Sequence, residues 1–195
     1  MERATGTCVH YQLDAKASQF TVQAFANGLM AAVAHSPKIA IRDWKGEVRF
    51  VPDTLGSALL RVRIKANSLQ VLDEMRDDDR RQLQRVMNDE VLEAASFPEV
   101  RFDSSEISAE KLNEHLFRVR VNGKLMLRGV TGDLTFNAQV AMGVNSFRAY
   151  GEFPLMQSDY RIPIAAIAGG TLRLRDELKF SFYVVGRKQE SAPND

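Results

Sequence analysis

Three histidines, His10, His35 and His115, and one cysteine, Cys8, are the side chains best suited to metal or nucleophilic chemistry in this 195-residue chain. No two of the histidines stand at HxH or HExxH spacing, so no pair of imidazoles shares a strand or helix face to grip a metal ion. A lone thiol cannot build a zinc–thiolate cluster within one chain. Ser36 directly follows His35, but adjacency is not a nucleophile with its base: spacing places no acid to orient the imidazole. A GxSxG elbow, a P-loop and a strand-borne GxGxxG are all absent. Asp77-Asp78-Asp79 precedes Arg80, Arg81 and Arg85. Acid before base is the order a helix dipole favours, so the triplet reads as N-terminal helix charge rather than a metal site. Asp159 and Arg161 flank Tyr160 in a loop, where they can hold one another or a ligand headgroup. The residues predict no catalytic group, no metal and no cofactor.

The elements that would position any ligand are strands. In Phe117 to Val140 the apolar residues Phe117, Val119, Val121, Leu125 and Leu127 alternate with Arg118, Arg120, Asn122, Lys124 and Arg128. Period two over this length gives one apolar and one wet face. The alternation runs through Asn122-Gly123 without a change of phase. That pair therefore reads as a bend or bulge in one long strand rather than a hairpin. The turn is placed at Arg128 to Asp133, after which Leu134, Phe136, Ala138 and Val140 resume the pattern. Similar alternation marks Ser18–Ala26, Ile39–Ile41, Val48–Phe50, Ala58–Lys65, Glu99–Asp103, Phe147–Phe153 and Leu178–Val184, with a turn at Asp43–Gly46. Ser105 to Glu114 reads as a polar turn region, and Asp176-Glu177 as an interruption before the last strand. Leu29 to Ala34 reads as a buried connection or a lid. From Asp73 to Leu92 the spacing of Leu83, Val86, Met87 and Val91 predicts one amphipathic helix whose narrow apolar stripe would cap a barrel end.

About nine or ten strands joined by short turns make an antiparallel sheet. That many strands in one domain must close or split into a sandwich, and long strands with mid-strand glycines favour a barrel. The fold class expected is all-β with one substantial helix, an extended lipocalin-like antiparallel β-barrel. Net charge is +1, which gives no basic footprint for nucleic acid. One cysteine allows no internal disulfide. No run approaches the roughly 20 apolar residues of a membrane span, and no secretory leader is visible, so the expectation is a cytoplasmic protein, or a periplasmic one if a leader was removed. Residues 1–9 read as a flexible lead-in, 10–186 as one domain and 187–195 as a disordered tail.

Several motifs resemble the YceI-like family of lipid-binding proteins. They are Tyr11-Gln-Leu-Asp14 with Ser18-Gln-Phe20, His35-Ser36, Gly46-Glu-Val-Arg-Phe50, Ser96-Phe-Pro-Glu-Val-Arg-Phe102-Asp-Ser104, Asn122-Gly-Lys-Leu-Met-Leu-Arg-Gly-Val-Thr131 and Gln157-Ser-Asp-Tyr160. The resemblance spans roughly residues 10 to 186. It implies a hollow barrel that binds, stores or transports a long amphiphile without catalysis: a polyisoprenoid, an isoprenoid quinone or a fatty-acid derivative. Two departures stand out. The family's Ser-Asp-Phe-Gly is Ser158-Asp159-Tyr160-Arg161 here, which puts an arginine near the implied barrel mouth. The family's Arg-Asp-x-His-Leu pattern is missing between Asp73 and Leu92.

The lining residues expected for such a cavity are Phe20, Val22, Ile39, Ile41, Val48, Phe50, Leu60, Val62, Phe102, Phe117, Val119, Leu125, Phe136 and Phe147. His35, Tyr160 and Arg161 are the headgroup candidates at the mouth. Small inward residues such as Ala24, Ala138, Ala149 and Gly151 favour a hollow interior, and enlarging Ala149 to Trp is expected to block the ligand. Two rival readings are a filled barrel that recruits a protein partner through the helix from Asp73, and an enzyme on a small hydrophobic substrate. A homodimer is compatible with the chain.

Overall fold

The computed structural model describes residues 8–27, 36–51, 58–164, 166–167 and 172–189. Period-two runs become strands β1 (Val9–Leu13), β2 (Gln19–Asn27), β3 (Lys38–Ile41), β4 (Trp44–Phe50), β5 (Leu59–Lys65) and β6 (Leu69–Val71). Helix α1 (Asp77–Val86) follows and runs into a π-helical turn, Met87–Val91. Then come β7 (Glu99–Lys111), β8 (Leu116–Leu127), β9 (Val130–Met142), β10 (Ser146–Met156), β11 (Ala166–Ile167) and β12 (Leu172–Lys188). Eight of these strands close a ring in the order β1-β4-β5-β7-β8-β9-β10-β12, and β12 returns to β1. Every pairing is antiparallel. Strands β2, β3 and β6 form a second branch off β12.

The branch point explains the first motif. From Arg173 to Tyr183, β12 pairs with β2; from Gly186 to Lys188 it pairs with β1. Val185 lies at the handover, where neither ladder serves it. Its amide donates to Ser18 Oγ at 2.9 Å, and its carbonyl accepts from the Asp14 amide at 2.8 Å. Arg187 Nε donates to Asp14 Oδ2 at 2.7 Å. That bond, with the Ala17 and Lys16 amides, holds the Asp14 carboxyl below its ordinary range. Asp14 and Ser18 thus satisfy backbone groups that a change of partner would orphan.

The long strand through Asn122-Gly123 is continuous, but the extra residue lies opposite it. Ser104 pairs with Gly123 and Glu106 with Asn122, so Ser105 of β7 bulges. Gly123 is required for a different reason. A Cβ there would sit 2.5 Å from the Phe102 ring and 2.6 Å from the Asp103 carbonyl oxygen. The following turn is tighter than expected. Leu127 pairs with Val130, so Arg128 and Gly129 alone make the turn, with φ of 50° and 70°. Positive φ at both positions is the type I′ hairpin, whose twist matches the flanking strands.

Other expectations shift in register. Trp44, read as a turn residue, opens β4 and is buried. Ser105 to Lys111, read as part of a turn, continue β7 beyond the core. Most of those side chains are exposed on both faces, so no alternation marks them as strand. Asp176-Glu177 lies inside a continuous β12, at the irregularity between Leu174 and Leu178. The helix starts at Asp77 rather than Asp73. Strand β1 begins at Val9 and β12 ends at Lys188, one residue before and two beyond the 10–186 span.

The close approach at Gly123 gives a stability test. Gly123→Ala must displace Phe102 or the β7 backbone, and is expected to cost about 1–3 kcal/mol. Urea denaturation of the variant beside the parent chain measures it.

Candidate ligand-binding cavity

The barrel interior is divided along its axis. At one end the side chains meet. Tyr11 stacks on Phe50 with ring centroids 5.1 Å apart, and Phe147 meets Tyr11 edge-on at 5.4 Å. Val48, Phe117, Val140 and Met142 pack against this plug. Towards the other end lies a cavity of about 650 Å³, within the ~300–1,000 Å³ range of small-molecule sites. Its walls come from β1, β2, β3, β5, β6, β7, β8, β9, β10 and β12, and its cover from Met75, α1 and the π-helical turn.

Nine of the fourteen expected lining residues face this cavity: Phe20, Val22, Ile39, Ile41, Leu60, Val62, Phe102, Leu125 and Phe136. Val48, Phe50, Phe117 and Phe147 point inward but belong to the plug, and Val119 is buried beside Val121 in the second packed cluster. Period two distinguishes inside from outside; it carries no information on height along the barrel axis. Ala149 is likewise buried in the plug, so its enlargement would overpack a core rather than block a ligand. Leu134, outside the expected lining set, also faces the cavity, as do three further phenylalanines outside that set, Phe153, Phe180 and Phe182. Their alternation was visible, and their rings form a continuous patch. Phe136 stacks on Phe153 at 5.1 Å, and Phe153 on Phe180 at 4.8 Å.

That patch covers a seam. The β9–β10 ladder runs for four pairs, from Phe147–Met142 to Tyr150–Gln139. Beyond them Phe136 and Phe153 meet across the gap, and Tyr160 stands over Gly132, where a Cβ would lie 3.1 Å from its hydroxyl oxygen.

The headgroup candidates separate. His35 lies outside the described residues. Tyr160 is 2% exposed and does not face the cavity; it is a packing residue of the seam. Burial first, then the Asp159 and Asp133 carboxylates, push its phenol above the ordinary value. Arg161 is exposed and also off the cavity. Its φ of 54° is left-handed, the conformation glycine adopts without steric cost. That accounts for the glycine which the resembling motif carries at this position. Arg161 contributes through its carbonyl, which accepts from Arg128 Nη1 while Arg128 Nη2 meets Glu93. Glu93 also has positive φ, at 48°. One guanidinium thus ties the β8–β9 turn to the end of the lid and to the 158–160 turn.

Among the described residues, the polar groups that do face the cavity are Asp79 and Gln82 on the lid, and Gln157 next to the end of β10. Gln157 belongs to the Gln157-Ser-Asp-Tyr160 motif and is not among the expected site residues. It is 3% exposed. The turn after it is fixed by Asp176, whose carboxylate accepts from the Ser158 hydroxyl at 2.5 Å and the Ser158 amide at 2.7 Å. These bonds hold the Asp176 carboxyl below its usual range. Among the described residues no group of three or more metal-ligating side chains converges.

Val62→Trp projects a large ring into the void. It is expected to abolish apolar-probe uptake while the native circular dichroism spectrum persists; Ala149→Trp is expected to lower stability instead. Arg161→Gly removes a left-handed penalty of about 1–2 kcal/mol from an exposed side chain. A gain of roughly 1 kcal/mol in denaturation, with unchanged probe binding, is the expected outcome.

A family model for the YceI-like domain matches residues 11–185. No curated protein matched the chain by sequence. Solved structures are similar in fold. Burkholderia cenocepacia BcnA superposes with a TM-score of 0.69 at 17% identity, covering 89% of this chain and 98% of that one. A polyisoprenoid binding domain from Saccharophagus degradans, implicated in plant cell wall breakdown, gives 0.67 at 15% identity, covering 92% and 98%. The Campylobacter jejuni YceI protein gives 0.59 at 19% identity, covering 81% and 88%. With the family model spanning nearly its whole length and the closed barrel shared with these structures, this chain belongs to the YceI-like family.

Proposed function

We propose that the protein is a non-enzymatic carrier that binds, stores or transports one long apolar amphiphile: a polyisoprenoid, an isoprenoid quinone or a fatty-acid derivative. The observation that carries this reading is the cavity of about 650 Å³, lined almost wholly by aliphatic and aromatic side chains beneath a helical lid. Such a lining supplies affinity by removing apolar ligand surface from water, at ~25 cal/mol/Å². The polyisoprenoid binding domain of similar fold supports the ligand class.

An enzyme on a small hydrophobic substrate would need an acid, a base or a nucleophile in mutual reach. The described lining offers one carboxylate and two amides, in Asp79, Gln82 and Gln157. The filled-barrel interaction module is disfavoured by the void itself. No helix among the described residues is long and apolar enough to cross a membrane.

Native mass spectrometry of freshly purified protein, followed by organic extraction, is expected to release one stoichiometric long-chain compound. Added to stripped protein at a hundred times its Kd, that compound should stabilise the fold by about 2.7 kcal/mol. For a chain of this size the rise in Tm is roughly 5–10 °C. Stripped protein that takes up no polyprenyl, quinone or fatty-acyl compound would overturn the carrier reading.

A further inference from the structure

Gln157 is polar, buried to 97% and lines a cavity whose other described polar groups, Asp79 and Gln82, are exposed residues of the lid. A buried amide is costly unless its groups are paired. One of its two amide hydrogens is paired: Nε2 donates to the Arg175 carbonyl oxygen at 2.9 Å, which leaves the second N–H and Oε1 without a partner among the described residues. That bond fixes which way the amide points, because the flipped form would set two acceptors against each other. The Gln157 backbone is pinned as well. Its amide donates to the Asp176 carbonyl at 3.0 Å, and its carbonyl accepts from the Tyr160 and Ile162 amides at 3.1 Å each. This cavity-lining side chain, held in place by four hydrogen bonds, thus carries a free acceptor in Oε1 beside one free N–H.

An acceptor in an apolar chamber selects a donor. A hydroxyl can donate to Oε1 and accept from the free N–H; a quinone carbonyl, an ether oxygen or an ionised carboxylate can serve the N–H but leaves Oε1 unpaired. On the lid the Asp79 carboxylate accepts hydrogen bonds and repels anions, while the Gln82 amide can both donate and accept. Carboxylate and phosphate heads are ordinarily met by arginine or lysine. Among the described residues no such cation lines the cavity.

We propose that Gln157 is the headgroup-reading residue and that the ligand is a neutral long-chain alcohol, its hydroxyl donating to Gln157 Oε1. This inference rests on the carrier reading and narrows it. The test holds the chain constant and varies the head: geranylgeraniol, its methyl ether, geranylgeranyl phosphate and geranylgeranoic acid, titrated against stripped wild-type protein at neutral pH. The alcohol is expected to bind about tenfold more tightly than the ether, the difference one buried hydrogen bond makes, and more tightly than either anion. Gln157→Met keeps the length and removes the acceptor, so the alcohol-to-ether ratio should fall to about one. Equal binding of all four by the wild type would overturn the head assignment and leave the carrier intact. Tighter binding of the phosphate or the acid would do the same. Binding of none would overturn the carrier reading itself, and this inference with it.

Discussion

Apolar side chains that face an unfilled space give up the contacts that make an ordinary core cohesive. Every other feature of this barrel serves to keep such a space from collapsing. The ladder closes on itself through β12, so the wall has no free edge along most of its circumference. The Tyr11–Phe50–Phe147 plug braces one end. At the other end the lid is narrow in its apolar stripe and wet elsewhere, and Arg128 ties its exit to the barrel rim. The outer face of β5 and β7 is laced by Arg63–Asp103 and Arg101–Glu99 pairs, partly exposed and individually worth little. Their alternation with inward apolar residues fixes which face is the wall's inside.

The family motifs acquire physical roles on this frame. Asp14 and Ser18 serve Val185 where β12 changes neighbours. Gly123 admits the Phe102 ring, one of the cavity's own walls. Gly129 completes the I′ turn. Gln157-Ser158 is anchored by Asp176 so that an amide points into the chamber. The shared task of these residues is to place backbone and amide groups where a smooth apolar wall would otherwise leave them unpaired.

Alternation made the barrel and the inward set readable from the sequence, because a strand's side-chain period is two and does not depend on context. Three things were not readable. Height along the axis separated Phe20 and Phe102, which line the cavity, from Phe50 and Phe147, which plug it; both pairs look alike in a one-dimensional pattern. The polar half of β7 had only Ile107, partly buried against the core, to betray it, because most of its side chains stay exposed while its pairing with β8 continues. Tyr160 and Arg161 drew attention by charge and ring, whereas the buried amide beside them at Gln157 was inconspicuous. Burial, not residue type, is what made it informative.

The change of partners along β12 has a kinetic side. This strand hydrogen-bonds β10, β2, β1 and β11, yet it lies furthest along the chain of all of them. Until it docks, β1 and β10 are open edges and the apolar inner faces of eight strands stand in water. Pairings between segments so distant in sequence are slow to form, and exposed strand edges invite association with other chains. Folding of this barrel is therefore gated by its final strand, and the interval before closure is when the chain most needs protection from its own copies.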